Sequence, residues 1–337
     1  MKKRKLGSNG PEVSAIGLGC MGMTIKYGQL DDEHSIETIH HALDNGLNLL
    51  NSSDAYGNGK NEELISLALK GRRQEAIINT KFGQIRKPDG TMDINGRPEY
   101  VQEACEASLK RLGTEYIDIY SQHRVDTTVP IEETVGAMSR LVEQGKILHV
   151  GLSEAGDETV RRANKTYPIV CLETEYSLWS REVEEEILPT CQELGISLMP
   201  YAPLGRGFLS GSIRSSSDLS EDDQRVMQPR FAQENIDQNI KKLGVLEEVA
   251  KEKGFKPAQV AIAWVLQQDE NLVPIPGTKR TKYLNENMRA KRLETPRVKV
   301  PKGSVGLTEQ FANIYTFESP GGWNIICLLY TSDAADE

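Results

Sequence analysis

The strongest constraint on the fold is a pattern repeated between about residues 30 and 288, in which an amphipathic stretch ends at a glycine and a short apolar run follows. In the first repeat, residues 36–43 place apolar side chains on one helical face, after the capping candidates Asp31 and Asp32 and before Gly46. The run 47–50 then has the length and composition of a strand. Because this order recurs, we predict that helices and strands alternate along the chain.

Eight short apolar runs are candidate strands, and they lie near residues 15–19, 47–51, 76–81, 117–122, 147–153, 169–173, 196–201 and 272–275. Strands that alternate with helices form parallel sheets, which leaves an open doubly wound sheet or a closed (β/α)8 barrel. Eight units favour the closed α/β form, a TIM barrel. The first seventeen residues predict an N-terminal β-hairpin that could close the bottom of the barrel.

A glycine pattern near the N-terminus is typical of a competing fold. Gly17, Gly19 and Gly22 match G-x-G-x-x-G, which binds a dinucleotide in an open doubly wound sheet. That Rossmann arrangement needs a helix to begin at the glycines, so that its N-terminus meets the pyrophosphate. Here residues 23–30 separate the glycines from the first predicted helix. The pattern is therefore weak support for a Rossmann fold.

The charge balance limits the partners of the chain. Its 337 residues include 40 Lys and Arg against 49 Asp and Glu, a net charge of -9. Such a field repels phosphates, so we expect neither nucleic acid nor a membrane as a partner. No apolar stretch follows the basic N-terminal residues and no apolar run approaches about 18 residues, so we expect no signal peptide, no membrane span and a soluble cytoplasmic protein. The five scattered cysteines contain no C-x-x-C pair, so we expect neither a disulfide framework nor a metal site.

Reactive side chains of such barrels lie where the strands end. Asn51 ends one predicted strand with Tyr56 just beyond it, Lys81 ends the next strand, and His123 follows the third. A nearby ammonium lowers the pKa of a phenol, and a neutral imidazole can donate a hydrogen bond to a carbonyl oxygen. Together these groups could protonate an oxygen that gains negative charge. The alternative is that each is an ordinary loop residue.

Six segments resemble motifs of the aldo-keto reductase superfamily, and the resemblance covers about residues 1–288. They are 51–57 (NSSDAYG), 80–83 (TKFG), 122–126 (QHRVD), 150–154 (VGLSE), 201–207 (YAPLGRG) and 275–280 (IPGTKR) with 286–287 (EN). The sequences of 151–155 (GLSEA) and 175–179 (EYSLW) are most similar to those of the plant and bacterial branch that includes perakine-type reductases. The resemblance implies a (β/α)8 barrel that binds NADP(H) in extended form and reduces a small-molecule carbonyl substrate.

The resemblance also implies roles for individual residues. Tyr56 would be the general acid, Lys81 would lower its pKa, and His123 would polarise and orient the carbonyl group. The full set of implied cofactor-binding residues is Gly22, Met23, Ser153, Glu173, Tyr201, Ala202, Pro203, Leu204, Gly205, Arg206, Gly207, Gly277, Thr278, Lys279, Arg280, Glu286 and Asn287.

Within that set, different residues would meet different parts of NADP(H). Tyr201 would stack on the nicotinamide ring, and Ser153 would bind the carboxamide. The turn 204–207 would approach the pyrophosphate, where small residues permit close backbone contact. Lys279 and Arg280 would bind the 2′-phosphate, so NADPH would be preferred to NADH.

Two residues depart from the family pattern. The acid that pairs with the lysine is expected five residues before Tyr56, where this chain has Asn51. Asn51 can keep a hydrogen bond to Lys81 but brings no negative charge, so we expect slow turnover that Asn51→Asp would raise. Glu173 stands where the family has a glutamine, and an ionised carboxylate cannot donate a hydrogen bond to the carboxamide.

The pattern changes after residue 288, so we expect a truncated last helix. Segments 297–306 and 318–323 resemble a fragment of an allophanate hydrolase subunit 1-type protein, and 327–337 resembles a translated sequencing adaptor. We therefore expect a reductase barrel over 1–288 and an irregular tail over 289–337 that forms no domain of its own.

Three functions fit these observations. The first is an NADPH-dependent reductase of aldehydes or ketones, which also runs in reverse. The second is a cofactor-binding regulatory module, to which Asn51 and Glu173 give some weight. The third is an inactive truncated chimera.

Overall fold

A computed structural model describes residues 1–25, 27, 30–87 and 91–290. The expected tail therefore lies outside the described residues beyond Ala290, and so do both resemblances assigned to it. Within the described ranges, no helix combines the length and the apolar character that crossing a bilayer requires.

The strands are β1 (Lys3–Lys5), β2 (Glu12–Ser14), β3 (Leu18–Gly19), β4 (Leu49–Asn51), β5 (Ile77–Phe82), β6 (Gln84–Arg86), β7 (Met92–Ile94), β8 (Ile117–Gln122), β9 (Ile147–Ser153), β10 (Ile169–Glu175) and β11 (Ser197–Tyr201). The α-helices are α1 (Asp32–Asp44), α2 (Lys60–Ala68), α3 (Pro98–Leu112), α4 (Ile131–Glu143), α5 (Asp157–Thr166), α6 (Ile187–Leu194), α7 (Gln233–Lys253), α8 (Pro257–Gln268) and α9 (Thr281–Arg289). Short 3-10 turns span Met21–Met23, Arg73–Glu75, Glu182–Glu184, Gly205–Ser210, Ser216–Asp218, Gln224–Met227 and Pro229–Phe231.

Seven parallel strands form one sheet in the order β11-β10-β9-β8-β5-β4-β3. The segment 272–277 joins its two edges, because Leu272 forms a parallel bridge with Leu198 of β11, and Gly277 with Gly19 of β3. The run expected as the eighth strand is this closing segment, which pairs through isolated bridges. A helix follows each barrel strand and the closing segment, so the predicted (β/α)8 barrel is confirmed.

Two glycines of the N-terminal pattern, Gly17 and Gly19, serve this closure. A Cβ atom at Gly19 would lie 2.8 Å from the carbonyl oxygen of Ile275, and one at Gly17 would lie 2.8 Å from its Cγ2. Side chains do not tolerate such distances, so glycine lets β3 approach the closing segment. The first α-helix begins only at Asp32. The glycines therefore do not form the start of a nucleotide-binding helix.

The N-terminal hairpin of β1 and β2 is present as predicted. Its Leu6 and Val13 are fully buried in one cluster with Leu49, which begins β4, and with Val170 near the start of β10. Since these are the first residues of barrel strands, the hairpin closes the end of the barrel opposite the strand C-termini.

Helix α1 begins and ends where the sequence predicts. The side chain of Asp31 accepts a hydrogen bond from the backbone N–H of His34 at 3.0 Å, which satisfies one unpaired donor of the first turn. Gly46 has a φ of 76°, a left-handed conformation that ends the helix. Ile39 and Ala42 are fully buried on the face that the spacing predicted.

One element escapes the sequence pattern. β6 and β7 form an antiparallel hairpin directly after β5. Both strands are short and largely exposed, so they lack the apolar alternation that marks a strand. Ile85 and Met92 from this hairpin line the cavity at the mouth of the barrel.

Candidate active site

Three neighbouring strands bring the expected catalytic side chains to one end of the barrel. Asn51 is the last residue of β4, Lys81 stands near the end of β5, and His123 directly follows β8. Tyr56 lies in the loop between β4 and α2. Because β4, β5 and β8 are adjacent in the sheet, their carboxyl ends lie together.

Tyr56 is in contact with both of its expected partners. Its ring lies edge-on to the ring of His123, with centroids 5.7 Å apart and an interplanar angle of 83°. The Lys81 Nζ lies 5.2 Å from the centroid of the Tyr56 ring, and a hydrogen bond joins the ammonium to the phenol oxygen. Tyr56 is 8% exposed and Lys81 is fully buried. The three side chains therefore converge on one point.

The expectation that Lys81 lacks an anion is wrong. Its Nζ lies 3.1 Å from Oε2 of Glu173, which reaches it from β10. Nζ also donates to Oδ1 of Asn51 at 3.0 Å and to the carbonyl oxygen of Ser52 at 2.8 Å. The negative charge has thus been supplied from a different strand, and Asn51 keeps the hydrogen bond that the sequence predicted.

Burial and charge set the protonation states of the phenol and the amine. Burial raises the pKa of Tyr56, and the ammonium of Lys81 opposes this rise. Burial acts against the charge of Lys81, yet the carboxylate of Glu173 raises the pKa of Lys81 overall. At neutral pH, Tyr56 therefore holds a proton that it can give away, and Lys81 is an ammonium.

His123 is held as a neutral imidazole. Burial, and then the positive charges of Lys81 and Arg124, move its pKa well below its usual value. Its Nδ1 lies 3.0 Å from Oγ of Ser53, and the backbone N–H of Ala55 donates to the same Oγ at 3.1 Å. The Ser53 hydroxyl also lies 3.2 Å from Oδ1 of Asp54 and 3.5 Å from the carbonyl oxygen of Lys81, so Nδ1 is one of three acceptors within its reach. When Ser53 donates to Nδ1, the proton of the neutral imidazole lies on Nε2.

A cavity of about 1350 Å³ opens at this end of the barrel. Tyr56, His123 and Asn51 line it, whereas Lys81 lies beneath its surface. Most of the expected cofactor-binding residues also line it: Gly22, Ser153, Glu173, Tyr201, Ala202, Pro203, Leu204, Arg206, Gly207, Gly277, Thr278, Lys279, Arg280, Glu286 and Asn287.

Two expected cofactor-binding residues do not line the cavity. Met23 is 1% exposed and belongs to the main hydrophobic core. Gly205 is buried, and a Cβ there would lie 3.4 Å from the Trp179 ring, which packs in a hydrophobic cluster with Phe208 and Leu209. In each turn the neighbouring residues line the cavity, whereas Met23 and Gly205 themselves face away from it.

One region of the cavity wall carries several cations. Arg206 Nη1 donates to the hydroxyl of Tyr27 at 3.2 Å, Arg225 lies 4.9 Å from the Tyr27 ring, and Lys279 Nζ donates to the Tyr27 carbonyl at 2.9 Å. Burial, and then the charge of Arg280, lower the pKa of Lys279, as expected where cations lie close together. Within the described residues, the buried Nε of Arg206 has no hydrogen-bond partner. Arg225 pairs with Asp223 and Arg206 pairs with Glu175, so their charges are partly balanced. The positive charge that remains in this region fits an anionic cofactor such as a phosphate-bearing dinucleotide.

Some residues of the site were not singled out from the sequence. Ser53 contacts His123 but was not predicted as a site residue. Its position in segment 51–57, three residues before Tyr56, was the signal that could have indicated it. Arg124 donates to Oγ of Ser153 at 3.4 Å. Arg225, by contrast, belongs to the loop that the sequence predicts between Gly207 and about Asn235, and it lines the cavity from a 3-10 turn.

Comparison with known proteins gives one consistent result. Residues 15–299 match the Aldo/keto reductase family. A probable aldo-keto reductase of Glycine max is 48% identical over 293 residues, which cover 85% of this chain and 83% of that protein.

Two solved structures share the fold. A glycerol dehydrogenase from Gluconobacter oxydans matches with a TM-score of 0.81 and 24% identity, over 93% of this chain and 94% of the other. A thermostable aldo-keto reductase bound to the inhibitor epalrestat matches with a TM-score of 0.71 and 29% identity, over 93% and 98% of the two chains. By its sequence and its barrel, this chain belongs to the aldo/keto reductase family.

Proposed function

We propose that the protein reduces an aldehyde or a ketone to an alcohol with NADPH, and that Tyr56 is the general acid. The observation that carries the proposal is the convergence of Tyr56, Lys81 and His123 at the wall of one large cavity. Family membership supports an oxidoreductase that acts on carbonyl groups. The choice of NADPH and the roles of these residues are our proposal.

Each side chain has a separate task. The Nε2–H of His123 donates a hydrogen bond to the substrate carbonyl oxygen and fixes its position. When bound, the nicotinamide would supply the hydride that the carbonyl carbon receives. The hydroxyl of Tyr56 gives its proton to the same oxygen, so the carbonyl becomes an alcohol. The ammonium of Lys81 stabilises the phenolate that remains, and bulk solvent returns the proton to Tyr56.

The cofactor would lie along the cavity from the nicotinamide end at Tyr201 to the cations at Lys279 and Arg280. An aromatic side chain at the end of β11 suits stacking on a planar ring. Lys279 and Arg280 line the cavity and would bind the 2′-phosphate that distinguishes NADPH from NADH. Glu286 instead pairs with Lys256, so its role would be to hold that lysine at the rim.

The experiment begins with the native protein and NADPH. Binding is followed by the change in cofactor fluorescence, and oxidation of NADPH is then followed with a broad panel of aldehydes and ketones. We expect binding in the micromolar range (about -8 kcal/mol) and turnover of some members of the panel. Binding without turnover would favour a regulatory module, and absence of binding would favour an inactive chimera.

The extent of the reductase unit and its location stay predictions. The family match reaches residue 299, which is beyond the boundary expected at 288. The expected location is the cytoplasm.

A further inference from the structure

The surroundings of Lys81 assign a task to Asn51 and Glu173 together. Asn51 comes from β4 and Glu173 from β10, and three strands separate β4 from β10 in the sheet. Both side chains are 3% exposed and meet inside the barrel, where Asn51 Nδ2 donates to Glu173 Oε2 at 2.6 Å. The same Oε2 lies 3.1 Å from Lys81 Nζ. Three polar groups from three strands thus share one buried contact.

This contact requires an amide at position 51. Its Oδ1 accepts from Lys81 and its Nδ2 donates to Glu173, so both ends of the amide are used. An ionised aspartate could accept from Lys81 but would face the Glu173 carboxylate at hydrogen-bond distance. Two carboxylates at that separation cannot both stay ionised without a large cost.

Glu173 is held in place by a second amide. Asn79 on β5 directs its Nδ2 towards Glu173 Oε2 at 3.4 Å. Ser121 fixes the orientation of that amide by donating to its Oδ1 at 2.9 Å. The carboxylate therefore receives an ion pair and two amide contacts, which compensate for its burial.

We propose that Glu173 is the counter-ion of Lys81 and a positioning residue that acts on Tyr56 through it, with Asn51 as its required partner. Glu173 and Asn51 together then do what a single carboxylate at position 51 would do. This inference rests on the proposed function, because its importance for turnover depends on Tyr56 being the acid. It also reverses the expectation that Asn51→Asp raises turnover.

The direction in which the pH dependence of reduction moves in Glu173→Gln follows from the loss of a negative charge. Tyr56 and Lys81 hold two protons in a buried pair, and removal of a negative charge 3.1 Å from the ammonium makes the first proton leave at a lower pH. This holds whichever of the two groups releases it. Carbonyl reduction needs both protons in place, so the pH above which reduction falls moves down when Glu173 is neutralised.

The experiment compares native protein with Glu173→Gln, Asn51→Asp and the double variant that carries both changes. For Glu173→Gln we expect the high-pH limb of kcat to move down by at least about one unit, with a loss of about tenfold at the alkaline end. For Asn51→Asp we expect no gain in kcat. For the double variant we expect the native limb to return, because one carboxylate again stands beside Lys81. Glu193→Gln removes an exposed carboxylate on α6 and serves as the charge control.

A second readout does not depend on turnover. The tyrosinate absorbance of the cofactor-free protein is titrated in native and Glu173→Gln backgrounds, each with and without Tyr56→Phe, and the difference isolates Tyr56. We expect Tyr56 to titrate at a lower pH in the Glu173→Gln background, and thermal melting tests whether each variant is folded.

The outcomes separate the two claims. A native protein that reduces no carbonyl, yet shows the titration shift, overturns the proposed function and leaves the counter-ion in place. An unmoved limb and an unmoved titration in Glu173→Gln overturn the counter-ion assignment. So does an Asn51→Asp variant that turns over several times faster than native protein, or a double variant whose losses simply add.

Discussion

Ser53 Oγ lies 3.0 Å from Nδ1 of His123 and is the contact that sets the orientation of the imidazole. Ala55 N–H donates to the same hydroxyl, and the proposed reaction requires that Ser53 donate its proton to Nδ1 rather than to Asp54 Oδ1, so that Nε2 keeps its own proton for the substrate. Both side chains are buried, so this contact keeps the imidazole in one orientation.

We expect Ser53→Ala to lower kcat/KM for reduction by about tenfold, the cost of one lost hydrogen bond of about 1.4 kcal/mol. NADPH binding should change little, because Ser53 is not among the residues that line the cavity. Ser35→Ala, which removes a buried hydroxyl from α1, is the matched control. Equal kcat/KM in native protein and Ser53→Ala would contradict the assignment of Ser53 as the residue that orients His123.

Cofactor preference is expected to depend on the cations at the end of the closing segment. Replacing Lys279 or Arg280 by methionine should weaken NADPH binding by about tenfold each, because each charge-assisted contact contributes about 1.5–3 kcal/mol. NADH lacks the 2′-phosphate, so its Kd should stay nearly constant. Fluorescence titrations with both cofactors measure the ratio, and Lys251→Met on the exposed face of α7 is the control. Equal weakening of both cofactors would contradict recognition of that phosphate.

Asp54 is expected to make the stability of the fold depend on pH. Burial, and then the negative charge of Glu62, raise the pKa of Asp54 to about 7. Between its ordinary value of about 3.9 and 7, the folded state keeps a proton that the unfolded state has released. Stability from this group therefore falls as pH rises through that window.

Asn cannot titrate, so Asp54→Asn should escape this loss. Urea unfolding at about pH 5 and about pH 8 should show the free energy of unfolding of the variant rising relative to native protein by at least about 1 kcal/mol between the two values. A difference between the proteins that does not change with pH would show that Asp54 titrates normally.

Local sequence signals predicted the parts of the fold that depend on neighbours in the chain. Asp31 as a cap, Gly46 as a stop, and the apolar runs of the barrel strands are all read from a few adjacent residues. The approach of Lys81 and His123 to Tyr56 also followed, because parallel strands place their carboxyl ends together.

Contacts across the barrel interior could not be predicted in the same way. Glu173 is separated from Asn51 by 122 positions and by three strands of the sheet, so no spacing signals their hydrogen bond. Comparison with the family pattern treated the two positions as separate departures, whereas their contact makes them complementary. Met23 shows the reverse case, since its neighbour Gly22 lines the cavity while its own side chain packs into the core.

The role of Tyr56 as proton donor is tested by the Tyr56→Phe variant, which removes one hydroxyl and keeps the ring beside His123. Native protein, Tyr56→Phe and the control Tyr116→Phe, whose phenol contacts Gln74 on the outside of the barrel, are compared for NADPH binding and for carbonyl reduction. We predict that all three bind NADPH equally and that only Tyr56→Phe loses reduction, by about 10²–10⁴-fold. Reduction by Tyr56→Phe at close to the native rate would contradict the assignment of Tyr56 as the proton donor.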